Sequence, residues 1–458
     1  MSAALDRRAA ELLPAGERLT AHDAAVFALR VKRDAAARTE PDFERLREQA
    51  RAIKAHALDH LDVYLERFEA RAQAAGARVH FAADAADLQR ITLELLAAKS
   101  ARRVVKSKSM LTEECRLNPH LERHGIEVVD TDLGERIVQL GGEPPSHIIM
   151  PAIHRTRADI GALFEREMGS APGDTDPGRL TAAARRDLRA RFLAADAAIT
   201  GANFAVAESG TLVIVTNEGN ADLGMALAPL HIACLGIEKV IPGVADLAVF
   251  LRLLARSATG QPISAYTSLV TGPRAGAELH VILVDNGRTR LLANQRHRSA
   301  LACIRCGACL NTCPVYRRAG GHAYGWAVPG PIGAVLAPAL TAGDELRSLP
   351  FASTLCGSCS AVCPVKIDLH DQLVAWRGSD SPRAPSARRA ARWAARVLER
   401  PALYRLAGRV TRALWPLLER RFAANPANAW LAARELPEHP GASFRARFRR
   451  RARPEDTP

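Results

Sequence analysis

The chain of 458 residues contains no run of 18 uncharged apolar residues, close to the length a helix needs to cross a bilayer. Its most apolar region, residues 221–254, is broken by Asp222, His231, Glu238, Lys239 and Asp246. No apolar segment follows a basic start at the N-terminus, so a secretory leader is not expected and the expected location is cytoplasmic. Nucleotide signatures are missing as well. No G-x-G-x-x-G opens a βαβ unit and no G-x-x-x-x-G-K-S/T occurs, so nothing signals nicotinamide, flavin or P-loop chemistry. Lysine is absent from residue 377 onward, where 19 arginines stand against 7 acidic residues. That segment carries most of the net charge of +14. It has no helix-turn-helix and no basic face interleaved with aromatics, so nucleic acid is not expected as a partner. A solvated helical surface, an acidic protein or an acidic membrane surface remain as readings of the charge.

What the chain does have is cysteine in a pattern. Of 9 cysteines, seven fall in two bursts: Cys303, Cys306, Cys309 and Cys313 followed by Pro314, then Cys356, Cys359 and Cys363 followed by Pro364. The first burst is C-x2-C-x2-C-x3-C-P, the spacing of bacterial two-cluster ferredoxins, in which the fourth cysteine serves the other cluster. Three thiolates within seven residues can wrap one corner of an iron-sulfur cube, and the proline turns the chain so that the fourth points to the neighbour. By this crossed rule Cys303, Cys306, Cys309 and Cys363 hold one 4Fe-4S cluster, and Cys313, Cys356 and Cys359 hold the second. Aligned on its Cys-Pro end, the second burst has Ser353 where a first cysteine would fall. The last iron then takes Ser353 oxygen, water or a partner's ligand, or is absent in a 3Fe-4S cluster; the spacing leaves these open. Zinc would use paired C-x2-C units and does not call for the triple spacing or the Cys-Pro endings. Disulfides would need an oxidising compartment. Cys115 and Cys234 read as buried thiols.

Along the chain, residues 43–75 form a helical stretch with apolar residues at Leu46, Ile53, Ala57, Leu61, Leu65 and Phe68, near the 3.6 period. Short apolar strands then alternate with helices: strands at 79–81, 103–105 and 126–129, helices at 84–98 and 112–124. After a Gly/Pro/Asp-rich loop and a helix at 180–195 come strands at 197–200, 210–215, 239–241, 264–270 and 279–284, and a turn at 285–288. This alternation predicts a mostly parallel sheet covered by helices. The expected organisation is an N-terminal helical segment 1–69, an α/β domain 70–292, a cysteine domain 293–372 and an arginine-rich helical region 373–458. In the last, Leu403, Leu406, Val410, Leu414 and Leu417 recur at helical spacing among Arg405, Arg409 and Arg412, a basic amphipathic helix interrupted at Pro416. Packing against the cysteine domain or a partner is the expected use of that face, and peripheral contact at the inner membrane face is the alternative.

Several segments carry a specific resemblance. Lys106-Ser107-Lys108-Ser109-Met110, Asp130-Thr131-Asp132-Leu133-Gly134-Glu135 and Pro145-Ser146-His147-Ile148 are similar to the lactate-utilization (LUD) domain. So are Ala207-Glu208-Ser209-Gly210-Thr211-Leu212 and Thr216-Asn217-Glu218-Gly219-Asn220. With the cysteine module and the arginine-rich tail, nearly the whole chain resembles the lactate utilization B family of iron-sulfur proteins. The resemblance implies an α/β LUD domain of the isomerase/CoA-transferase-like superfamily, an α-helical dicluster ferredoxin domain and a helical basic tail. It implies two 4Fe-4S clusters, the second burst having three cysteines in the family too. It also implies two partners, a cysteine-rich subunit resembling heterodisulfide-reductase components and a stand-alone LUD protein. The expected function is electron transfer within an L-lactate oxidation system, as a component rather than an autonomous enzyme, because iron-sulfur cubes pass single electrons and abstract no hydride.

Other chemistry is carried by fewer residues, and no catalytic residue is assigned. Lys106, Lys108 and Ser109 lie between a strand and a helix start and are the candidate anion-binding residues; solvated lysines ending a strand are the alternative. Glu208, at a strand entry, matches the position of a nucleophile in the superfamily's CoA transferases, or it satisfies a Gly-rich turn. His147 and His154 are candidate proton acceptors, with hydrogen-bonded loop histidines as the default. His322, His370 and Tyr324 flank the cysteines and are placed to tune a cluster. A LUD domain that itself oxidises lactate, or a cluster-bearing regulator that binds nucleic acid, are the alternative functions.

Overall fold

The structure, a computed structural model, describes residues 8, 16–341, 345–379, 385–423 and 441–451. The chain divides into two units, residues 1–381 and 382–458. Ten strands lie in the first: β1 (Arg78–Ala82), β2 (Arg103–Lys106), β3 (Glu127–Asp130), β4 (Ala197–Gly201), β5 (Phe204–Val206), β6 (Thr211–Thr216), β7 (Leu230–Gly236), β8 (Val240–Ile241), β9 (Tyr266–Val270) and β10 (Glu278–Val284). Six pair in the order β1-β10-β7-β4-β2-β3, all parallel. The other four form a second sheet, β8-β5-β6-β9, with β5-β6 and β6-β9 antiparallel. The parallel sheet follows from the alternation of strands and helices.

Two strands were not evident in the sequence. The run Leu230–Gly236 is buried at every residue, as expected for a central parallel strand covered on both faces. Without alternation it has no periodic signature, and it sits within the apolar region 221–254, to which no strand was assigned at this position. Phe204–Val206 is three residues long, too short to show a period. Of the second sheet, β6, β8 and β9 were expected as strands, but not their pairing apart from the parallel sheet, which strand periods alone do not specify.

The predicted helix over 43–75 is two helices, Phe43–Asp59 and Leu61–Ala74, parted at His60 with φ −125° and ψ 36°. The break lets one apolar stripe serve two cores. Phe43, Leu46, Ala50 and Leu58 pack with Phe250, Leu253 and Leu301, whereas Leu61, Phe68 and Ala72 pack with Ala205, Leu212 and Val240 of the second sheet. Likewise the predicted helix over 112–124 is Met110–Glu114 and Leu117–Arg123, divided at Arg116 with φ +51°. Helix starts follow capping chemistry: Asp84 and Asp132 accept the N–H groups of Asp87 and Glu135, and Thr156 forms a capping box with Asp159.

The cysteine region is helical. Its helices Ala308–Thr312, Gly330–Leu340 and Ser358–Val362 share one core with Phe43–Asp59 and Val244–Ala258. Arg33 on the N-terminal helix Gly16–Arg38 donates to the Val362 carbonyl at 3.1 Å. Arg47 donates to the carbonyls of Ala361 and Cys363, both at 2.8 Å. Residues near the N-terminus therefore clamp the second cysteine loop.

The second unit contains helices Pro385–Glu399, Pro401–Ala423 and Phe444–Arg451. The helix from Pro401 runs through Pro416 without ending, contrary to the expected interruption. Proline removes one hydrogen bond to the preceding turn, and the turns on either side continue. Leu403, Leu406, Val410, Leu414 and Leu417 remain exposed within this unit. Among the described residues no helix is long and apolar enough to cross a membrane.

Candidate metal centre and adjoining cavity

The two cysteine loops enter short helices through left-handed glycines, Gly307 (φ +76°) and Gly357 (φ +77°). Cys303, Cys306, Cys309 and Cys363 come together around a small void lined also by Ile148, Ile304, Ile332, Val365, Ile367 and Leu369. Burial and the charge of neighbouring sulfurs push three of these thiols up, Cys363 to about 11 and Cys306 and Cys309 well above their ordinary range. Cys313, Cys356 and Cys359 form the neighbouring set, with Cys313 acting on Cys359 and Cys356 on both. Cys359 also acts on Cys309, so the two sets adjoin. Cys356 is exposed, the others of its set buried.

Backbone N–H groups point at the sulfurs. Arg305 donates to Cys303 Sγ and Ile367 to Cys363 Sγ, each at 3.3 Å. Ala308 faces Cys306, Ile332 faces Cys309, Val315 and Tyr316 face Cys313, and Ser360 faces Cys359. Such donors stabilise thiolates that burial alone would keep protonated, and a bound cluster would supply the positive charge that completes this.

Tetrahedral zinc with Zn–S bonds near 2.3 Å places sulfurs about 3.8 Å apart. Among the described residues, the one trio of potential ligand atoms lying within 4.8 Å of one another is Asp368, His370 and Asp371, with no cysteine in it. All nine cysteines are free of disulfides. Thiols convergent yet too far apart for one ion fit a polynuclear iron-sulfur centre.

A cavity of about 760 Å³ adjoins the first set, within the roughly 300–1,000 Å³ typical of small-molecule sites. It lies where the parallel strands end: Lys108 and Ser109 follow β2, Asp132 follows β3, Gly201 ends β4, Gly236 ends β7 and Arg288 follows β10. Arg305, from the first cysteine loop, lines both this cavity and the void between the thiols. Part of its wall is a buried charge network. Glu238 accepts from Arg288 Nε at 2.6 Å and faces Arg305 at 3.7 Å, and Arg288 also pairs with Glu114 at 3.0 Å. Burial would raise Glu238, but Arg288, Arg305 and Lys239 outweigh it and hold the carboxyl at about 2. Lys239 lines the cavity with no hydrogen bond or ion pair among the described residues; burial, with Arg305 beside it, outweighs the nearby Glu238 carboxylate and lowers its ammonium to about 8.

The three candidate anion-binding residues are placed differently. Lys106 is fully buried and paired with Asp130 at 2.8 Å and Glu113 at 3.0 Å. Lys108 lines the cavity but pairs with Asp132 at 2.6 Å. Ser109 lines it too and caps the short helix through Thr112 N–H at 3.4 Å. Glu208 accepts from Val244 N–H at 2.9 Å, capping the helix that follows, and is not part of the cavity wall. His147 is buried: its Nδ1 accepts the N–H groups of Ile149 and Met150, and Nε2 meets Asn311 Oδ1 at 2.9 Å. Burial lowers it to about 4, so it is a neutral pin that fastens the α/β domain to the first cysteine loop. His154 bridges Ser146 and Glu143, each at 2.8 Å. His370 bonds Ser360 at 2.8 Å, His322 bonds the Pro144 carbonyl, and Tyr324 is buried beside Cys313.

Sequence reasoning missed Arg305, Lys239, Arg288 and Asn311. Arg305 stood between two recognised cysteines and was the one signal within reach; the pairing of Arg288 with Glu238, 50 residues away, has no local trace.

The LUD domain family matches residues 65–291, and the 4Fe-4S dicluster domain family matches residues 299–367. A lactate utilization protein B of Oceanobacillus iheyensis is 41% identical over 432 residues, covering 90% of this chain and 89% of its own. An uncharacterized electron transport protein of Escherichia coli, YkgF, is 41% identical over 430 residues, covering 89% and 88%. A crystal structure of a DUF162 family protein from Deinococcus radiodurans aligns with 49% of this chain and 98% of its own at 16% identity, with a TM-score of 0.27, too distant to bear on the fold.

Proposed function

Because the chain belongs to the lactate utilization protein B family, we propose that it is the iron-sulfur electron-transfer subunit of a multi-subunit system oxidising L-lactate to pyruvate. A role in lactate utilization and electron transfer follows from that family and from the dicluster domain. The observation that carries the reading is the pair of adjoining thiol sets, fitted with backbone donors. Cys303, Cys306, Cys309 and Cys363 would hold one 4Fe-4S cluster and Cys313, Cys356 and Cys359 the other. When bound, these clusters supply one-electron carriers. The protein's own residues hold and orient the sulfurs, bury three of the four in the first set and donate hydrogen bonds to them. The two-electron chemistry then belongs to a partner, for which a cysteine-rich subunit resembling heterodisulfide-reductase components and a stand-alone LUD protein are proposed. The exposed apolar stripe of the arginine-rich tail supports peripheral contact with a partner or an anionic membrane face.

The experiment is electron paramagnetic resonance on the anaerobically reconstituted chain given L-lactate, with and without its partner subunits. Reduction only in the presence of partners is the expected result. Reduction in the chain alone would move catalysis into the LUD domain.

The cavity favours a second reading, that the LUD domain binds an organic anion beside the first thiol set. Lys239, which has no hydrogen bond or ion pair among the described residues, and Arg305 supply positive charge at its wall. Titration calorimetry of the full chain with L-lactate and pyruvate tests it, with Lys239→Gln expected to weaken binding at least tenfold.

A further inference from the structure

The two cysteine loops repeat each other in backbone detail at an offset of 50 residues, and the repeat gives a role to a residue that is not a cysteine. In the first loop Arg305 takes φ +60°, Gly307 opens the helix Ala308–Thr312, and Cys313 closes it with φ −78° and ψ 118° before Pro314. In the second Leu355 takes φ +57°, Gly357 opens Ser358–Val362, and Cys363 closes it with φ −63° and ψ 119° before Pro364. Cys306 thus matches Cys356, Cys309 matches Cys359 and Cys313 matches Cys363. Cys303 matches Ser353.

The match extends to hydrogen bonding. In the first loop the N–H of Arg305 donates to Cys303 Sγ at 3.3 Å. In the second the N–H of Leu355 donates to Ser353 Oγ at 3.1 Å. A left-handed conformation is uncommon for a non-glycine residue and strained for a bulky one. Its recurrence two residues after each position is a shared device: it turns an N–H back onto the donor atom of residue 303 or 353. Ser353 Oγ therefore occupies, in the second loop, the environment that the proposed ligand Cys303 has in the first, and among the described residues no acceptor takes its hydroxyl proton. Neither spare cysteine competes, since Cys115 and Cys234 are packed in the core around β7 with Leu117, Ile199 and Ile232.

We propose that Ser353 Oγ is the fourth ligand of the second cluster, completing the set of Cys313, Cys356 and Cys359. This rests on the reading that a second cluster is present. Binding forms an iron–oxygen bond and releases the hydroxyl proton to solvent, with no change in oxidation state. An alkoxide is a harder donor than a thiolate and favours ferric iron, and the Leu355 N–H offsets part of its charge.

The test uses the full chain reconstituted with 57Fe, read by Mössbauer spectroscopy and by electron-nuclear double resonance in 17O-labelled water. The expected wild-type result is about eight irons per chain, one of them distinct from the other seven, with no coupling to labelled water. Ser353→Ala should either lose the distinct iron, leaving a 3Fe-4S signal, or acquire coupling to labelled water in its place. Ser353→Cys should keep four irons at that site and raise its reduction potential, which a purely structural serine would not require. Labelled-water coupling in the wild type, or identical spectra for wild type and Ser353→Ala, would overturn the assignment. About four irons per chain would overturn it through the two-cluster reading, and the iron count tells that failure apart.

Discussion

Arg288 joins two buried carboxylates, Glu238 and Glu114, with 2% of its own side chain and 3% of each of theirs exposed. Removing one partner of such a network leaves uncompensated charge in a region of low dielectric, at a cost of about 3–5 kcal/mol. Arg288→Met should lower unfolding free energy by that amount in urea titrations, although methionine fills much of the space. His147 gives a pH dependence. Its ordinary value is 6.5 and burial lowers it to about 4, so between these values the unfolded chain binds more protons than the folded one. Stability from this group is complete above pH 6.5 and falls as pH drops toward 4, by at most about 3 kcal/mol. Denaturation midpoints measured across that window should show the fall, and His147→Gln should flatten it. These residue-scale features were invisible in the sequence because each is defined by a partner: His147 was legible as a loop histidine, but Asn311, which takes its hydrogen bond, lies 164 positions away.

Within the cysteine loops, Gly307 and Gly357 have the same φ and different surroundings. A Cβ at Gly357 would meet nothing within 4 Å, whereas at Gly307 it would meet Ile149 at 3.2 Å and His147 at 3.3 Å. Both alanine variants bear the left-handed backbone, about 1–2 kcal/mol each. Gly307→Ala must also displace a ring held by three hydrogen bonds, so thermal melts of the loaded protein should place it below Gly357→Ala. The same loops show what sequence could and could not carry. Cysteine spacing is dictated by covalent reach along a few residues, and so the two bursts, their prolines and the Ser353 gap were legible. The alternation of β1 to β4 with helices was legible for a similar reason, since each segment carries its own period. β7 was not, because burial on both faces erases period, and neither was the break at His60, which answers to two separate cores and not to any local breaker.

For the whole molecule, the division at residue 381 separates the thiol sets from the arginine-rich helices. A chain ending at 381 should keep the visible spectrum of the loaded protein and lose any co-sedimentation with anionic lipid vesicles shown by the full chain. Equal sedimentation of the two would remove the tail from membrane contact. The clamp on the second cysteine loop has a different consequence, one of timing. Arg33 and Arg47 reach carbonyls 329 and 316 residues further along, so they emerge long before the loop they fasten. At about 5–20 residues per second of synthesis, roughly 15–60 seconds separate donor from acceptor. Throughout that interval the first arm of the clasp waits open, and the cysteines, once made, stand briefly unfastened. The clamp can close only after the second cysteine loop has been made, when the earliest helices of this unit meet one of its latest loops.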